Sequence, residues 1–175
     1  MKRLPPHGQF WVSLFSCLQF VAGCALSARE LRDEILKRTR TQAGEKMVAS
    51  PDQTARQYPC TPQLGFTLAV EEVEAVPETA RPGEEVNHHL RYALCNPDPS
   101  RTIAGRIVRI LLFRGAPLSR DITPYEFKPG TWEIDVFIRV PLDADSGVYG
   151  IQTVLEAGPK TIQRVCSFAV TPRAQ

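Results

Sequence analysis

Trp132-Glu133-Ile134-Asp135-Val136-Phe137-Ile138-Arg139-Val140 is the stretch that decides the fold. In an extended chain successive side chains point to opposite sides, so Trp132, Ile134, Val136, Ile138 and Val140 share one face. Glu133, Asp135 and Arg139 share the other, with Phe137 among them. No helical stripe accommodates this spacing, and the segment is predicted to be a strand with one face on a core. Working outward, the same period returns. Phe66, Leu68 and Val70 alternate with Thr67 and Ala69, and Val86, His88, Leu90, Tyr92 and Leu94 fall on one face. Residues 103–113 form a nearly continuous apolar run, as expected of a strand covered on both sides. Two further strands are predicted over 147–156 and 161–171. Turn residues separate these segments, as in Pro77 to Gly83, and the chain holds 15 prolines. Short alternating strands between such turns predict an all-β antiparallel sandwich of about seven strands over residues 62–172. Phe137 and Val154 are expected to face away from its core.

The segment after the deciding strand, Asp145-Ser146-Gly147-Val148-Tyr149, resembles the tyrosine corner of immunoglobulin-like domains. Asp145, Gly147 and Tyr149 carry the likeness, which implies that the tyrosine hydroxyl returns to upstream backbone. Pro82-Gly83, Pro129-Gly130-Thr131 and the run from Pro141 to Tyr149 are similar to bacterial members of that class. The cysteine expected two residues after the tyrosine is replaced by Ile151, so the resemblance implies core packing there in place of an intersheet disulfide. An immunoglobulin-like sandwich names no activity.

Upstream of the sandwich the composition changes. Residues 24–61 read as a polar spacer, with Ser27 and Glu30 forming a capping-box pattern ahead of a short predicted helix over 28–40. Its apolar side is thin: Leu31, Ile35 and Leu36. Residues 1–23 read as a secretory signal, with Lys2 and Arg3 ahead of an apolar run from Phe10 to Val21 that is too short for a membrane span. It closes on Val21-Ala22-Gly23-Cys24, which resembles the lipobox of bacterial lipoproteins. That likeness implies cleavage before Cys24, acylation of its thiol and attachment to a membrane through the lipid. Ala25 in the next position implies the outer membrane if the source is Gram-negative. Ordinary cleavage near Ala22 or Ala25 is the alternative.

Lys2 and Arg3 account for the whole net charge of +2, because the signal region holds no acid. A balanced chain beyond them argues against nucleic acid as a partner and against a polybasic membrane patch. Five cysteines are present. With Cys17 in the signal and Cys24 lipidated, Cys60, Cys95 and Cys166 remain, an odd set with at most one internal bridge. If the first two strands of the sandwich are antiparallel neighbours, Cys60 before one and Cys95 at the end of the other meet at the same end, and an exported compartment permits a disulfide. Three free thiols are the other option. Cys166 lies on the face of Phe168 and Val170 and is expected to be a core thiol.

Chemistry is sparse. His88 and His89 are adjacent on a strand, point to opposite faces and do not share a metal readily. Neither a nucleophile elbow nor a phosphate-cradling glycine loop occurs. No cofactor, metal or catalytic residue is expected, and the protein is read as non-enzymatic. The connection over 115–129 is long and holds Leu118, Ile122, Tyr125 and Phe127. It reads as a short edge strand plus a lid whose aromatics finish the core, with a binding loop carrying Tyr125 and Phe127 as the alternative. The expected function is that of a tethered lipoprotein whose sandwich binds or scaffolds another envelope or extracellular protein. Recognition of a glycan or small ligand on the end loops is the alternative.

Overall fold

A computed structural model describes residues 43–172. The signal segment 1–23, Cys24 and the helix expected over 28–40 lie outside the described residues. The elements are β1 (Gly44–Ala49), α1 (Pro51–Gln57), β2 (Thr67–Val76), β3 (Thr79–Ala80), β4 (Glu85–Cys95), β5 (Ile103–Phe113), β6 (Ala116–Phe127), β7 (Gly130–Arg139), β8 (Gly147–Ala157) and β9 (Lys160–Val170). The protein is all-β apart from α1, with two sheets of order β1-β7-β4-β2 and β3-β9-β8-β5-β6 packed as a sandwich. Neighbours are antiparallel except β3, which runs parallel to β9.

The deciding stretch becomes β7, paired with β4 from Glu85↔Arg139 to Leu94↔Gly130 without a slip. One slip would exchange the apolar and polar faces of both strands, so the alternation in each enforces this register. Their inward residues enter two clusters. One is built on Leu68, Leu90, Tyr92, Leu94, Ile107, Phe127 and Leu155, and the other on Val86, Val140, Tyr149, Ile151, Phe168 and Val170. Phe137 and Val154 lie on the outward sides of their strands, opposite Asn87 and Val108 respectively. Gly105 sits where β5 meets β8 most closely: a Cβ there would lie 1.9 Å from the Glu156 carbonyl oxygen.

One expectation changes. The sandwich begins at Gly44, not at 62, because β1 adds to the edge of the first sheet with Gly44↔Asp135 and Met47↔Trp132 in register. Most of β1 is exposed, so it leaves no alternating signal in the sequence. The helix expected over 28–40 is outside the described residues, and the one observed is α1. Ser50 caps it, with Gln53 returning the bond to the Ser50 backbone and Pro51 opening the first turn. Residues 115–129 take the edge-strand reading, not that of a binding loop: β5 turns at Arg114-Gly115 into β6, a twelve-residue strand at the edge of the second sheet. Its side chains are exposed until Tyr125, and the ladder to β5 holds it extended.

Candidate functional site

The structure places the residues singled out from the sequence as follows. Tyr125 and Phe127, the residues of the binding-loop alternative, lie at the end of β6 and pack into the core. The Phe127 ring is buried and meets Tyr92 edge-on at 5.4 Å and Tyr125 at 5.0 Å. Tyr125 donates its hydroxyl hydrogen to Glu45 Oε2 at 2.7 Å, and the Tyr92 hydroxyl, 3.3 Å away, accepts the Lys128 backbone N–H at 3.1 Å. Burial works against ionisation of Glu45, yet hydrogen bonds from Lys128 and Tyr125 outweigh it and hold the carboxyl below its usual range. Burial, then the contact with Tyr92, raises the Tyr125 phenol, which stays neutral. This cluster therefore fastens β1 to β6 and offers no open aromatic platform. Cys60 and Cys95 are joined as a disulfide with Cα atoms 5.8 Å apart. The Tyr149 hydroxyl donates to the Asp145 carbonyl at 2.9 Å.

His88 and His89 part company, as adjacent strand residues must. His88 points between the sheets, where Arg109 Nε donates to its Nδ1 at 3.3 Å and its Nε2 lies 2.8 Å from Thr153 Oγ1. Burial first, then the Arg109 charge, lowers the imidazole to about 3, so it stays neutral. With Nδ1 accepting, the ring proton is on Nε2 and is donated to Thr153. Arg109 reaches Asp121 Oδ2 and Thr123 Oγ1, both at 3.5 Å, at the rim. His89 points outward and bonds Asp135 Oδ1 through Nδ1 at 2.9 Å, while Asn87 Nδ2 donates to the same oxygen at 2.8 Å. An imidazole oriented by a carboxylate is an arrangement that general bases use. Here it is closed to solvent, and among the described residues no nucleophile is recorded against it. Among the described residues no three His, Cys, Asp or Glu side chains are gathered for a metal.

A cleft of about 540 Å³ lies where β2 and β9 meet, lined by Val73, Ala75, Pro77 and Cys166. Burial pushes the Cys166 thiol up to about 11, which leaves it protonated and weakly nucleophilic.

Among the described residues, the outer face of the five-stranded sheet exposes several large aliphatic side chains. Its cross-strand register sets Ile122, Val108, Val154 and Gln163 in one row and Arg120, Ile110, Gln152 and Val165 in the next. Ile122 is 48% exposed, Leu118 56%, Val165 57% and Val148 63%. A sheet face turned to water usually carries polar side chains. This one sets exposed aliphatic groups around a buried Val108, with Arg120, Gln152, Gln163 and the Arg106–Glu156 ion pair among them. Val148, Val154 and Val165 are visible in the sequence by their parity opposite Tyr149, Leu155 and Cys166. Leu118 and Ile122 are hidden by the prolines and charges of β6.

No helix among the described residues is long and apolar enough to cross a membrane. No protein-family model and no curated protein matches the chain. Among solved structures it is similar to the Pseudomonas fluorescens alkylpurine DNA glycosylase AlkC bound to DNA, with 9% identity, a TM-score of 0.41 and coverage of 59% of this chain and 30% of that one. It is also similar to the sporulation control protein Spo0M from Bacillus subtilis, with 14% identity, a TM-score of 0.35 and coverage of 63% and 49%. A family 123 glycoside hydrolase from Clostridium perfringens shows 12% identity, a TM-score of 0.39 and coverage of 63% and 28%. The chain spans half or less of each of these proteins, and likeness at this level carries no activity across.

Proposed function

We propose that the protein is an exported lipoprotein, anchored through Cys24, whose sandwich is a non-enzymatic binding part for another protein of the cell envelope or extracellular space. The observation that carries this reading is the aliphatic outer face of the five-stranded sheet, with Leu118, Ile122, Val148 and Val165 exposed together. The strand bordering it, β6, ends its sheet, and among the described residues one of its edges has no neighbouring strand. A partner with an apolar surface or an extended segment suits that combination. The immunoglobulin-like reading of the sandwich is supported by the Tyr149 to Asp145 bond and by β3, which leaves the β2 side to run parallel to β9. Glycan recognition on the end loops has less behind it, because Tyr125 and Phe127 are spent on the core.

The test uses the tagged full chain extracted from membranes in mild detergent, beside the double variant Ile122→Lys, Val165→Lys. Exposed substitutions of this kind change stability by roughly 0.5 kcal/mol or less. The expected result is a partner that co-purifies with the wild type and is lost from the variant at an unchanged thermal midpoint. Equal recovery from both, or no partner for either, overturns the reading.

A further inference from the structure

The two long edges of the five-stranded sheet differ in what their backbones offer. Alternate residues of a strand turn N–H and C=O together toward one edge. On β9 the outward set is fixed by two bonds, from the Ala169 N–H to the Glu78 carbonyl at 2.8 Å and from the Thr171 N–H to the Ala80 carbonyl at 3.0 Å. Thr161, Gln163, Val165 and Ser167 share that parity and point outward too. β3 takes only the Ala169–Val170 end of this edge. Over 160–167 no other strand of the described residues pairs with it, and the Arg164 side chain, not a strand, takes the Gln163 carbonyl at 2.9 Å. The ladder to β8 has no slip, and β9 contains no proline. At the opposite edge the same alternation, carried across β8 and β5 and past the shift at Leu111/Leu112, turns Pro117 and Pro124 of β6 outward. Neither has an N–H to give, so β6 is blunted where β9 keeps its donors.

We propose that this edge pairs antiparallel with β9 of a second copy of the chain, about a two-fold axis at Gln163. Register singles out that axis. Centred there, Thr161 faces the copy's Val165 and Gln163 faces its own counterpart. The copy's turn at Pro159 then comes opposite Ser167, just short of β3. An axis at Val165 would set the copy's Thr161 against Ala169, whose N–H is already held by Glu78. One at Arg164 would oppose two guanidinium groups. The side chains brought together suit the chosen register. On the outer face Thr161 and Val165 make a β-branched pair and the two Gln163 amides meet; on the inner face Ile162 stands opposite Arg164. The copy's Lys160 falls opposite Cys166, beside the cleft that Glu78 lines, so opposite charges meet there. The pairing merges two five-stranded sheets into one and leaves Leu118 and Ile122 of β6 clear. It therefore goes beyond the partner proposed above and does not compete with it.

The test is the mass of the full chain in mild detergent, by light scattering or sedimentation, at about 1 to 100 μM. The wild type is expected to pass from monomer to dimer over that range. Gln163→Ala keeps the backbone N–H and should dimerise nearly as well, whereas Gln163→Pro removes it at the axis and should stay monomeric. Should the proline variant misfold, exposed charges serve instead. Gln163→Lys and Gln163→Glu each set like charges directly opposite at the axis, and each alone should dimerise about fivefold more weakly. Mixed together, the two should recover at least the wild-type affinity. A wild type that remains monomeric at the highest concentration overturns the proposal. So does a dimer that the charge variants form unchanged, or one whose weakening the mixture does not reverse. An envelope partner recovered with a monomeric chain would sink the dimer alone and leave the proposed function standing.

Discussion

His88 shows what one buried polar side chain does to a sandwich. It interrupts the inward row of β4 between Val86 and Leu90, and Arg109 interrupts the inward row of β5 between Ile107 and Leu111. The two suit each other: the guanidinium needs a neutral acceptor, and burial first, then its charge, keeps the imidazole neutral. Groups facing His88 are Arg109, reaching on to Asp121, with Thr153 across the interface and His89 next along the strand. The folded-state value of about 3 lies below the ordinary 6.5, so the unfolded chain takes up this proton first. Stability attributable to His88 is therefore complete above pH 6.5 and falls as the pH drops toward 3, by at most about 1.4 kcal/mol per pH unit. Replacement by Gln keeps a donor and an acceptor but does not titrate. Denaturant unfolding from pH 7 to pH 4 should show a shallower loss for His88→Gln than for the wild type. Parallel curves would remove the histidine from the account.

Strands differ in how openly the sequence declares them. β4 and β7 are central, each has one face on the core, and their alternation is legible residue by residue. β1 and β6 lie at sheet edges. The side chains of β6 meet water nearly throughout, so selection for a buried face leaves no periodic mark, and Pro117 and Pro124 read as loop. What holds β6 extended is its ladder to β5, and a ladder has no side-chain signature. The same logic hid half of the candidate docking surface, namely Leu118 and Ile122 on β6, while Val148 and Val165 on β8 and β9 were readable by parity. The Cys60–Cys95 bridge ties the segment before β2 to the end of β4 across a separation of 35 residues. For a loop of this size, Cys60→Ser or Cys95→Ser should lower unfolding stability by about 2–4 kcal/mol, measured by denaturant titration under oxidising conditions. A reducing agent should bring the wild type to the same value. A loss well under 1 kcal/mol would mean that the hydrogen bonds of β2 and β4 hold this end without help.

The described residues present three unlike surfaces: a sheet face of mixed aliphatic and polar groups, a sheet face rich in carboxylates, and a cleft between β2 and β9 lined in part by Cys166. All-β architecture follows from patterning and was within reach of the sequence. Which face is exposed was not, because that depends on what lies over each sheet, and a residue's parity says nothing about its cover. Attachment belongs to this scale too. Replacing Cys24 by Ser should move the protein from the detergent phase to the aqueous phase in a Triton X-114 partition, with the sandwich still folded by circular dichroism. Retention in the detergent phase would mean that the lipid is not the anchor.

The early start of the first sheet at Gly44 also bears on reach. A spacer running from Cys24 to residue 62 has a contour of about 130 Å when fully stretched, whereas twenty residues ending at β1 allow about 70 Å. The volume that a tethered head can sweep grows steeply with its leash, and the effective concentration it experiences at a nearby target falls accordingly. Drawing residues 44–61 into the sandwich thus trades range for frequency of encounter. With the proposed anchor at Cys24, that would suit the protein to a neighbour within the same membrane more than to one across a gap.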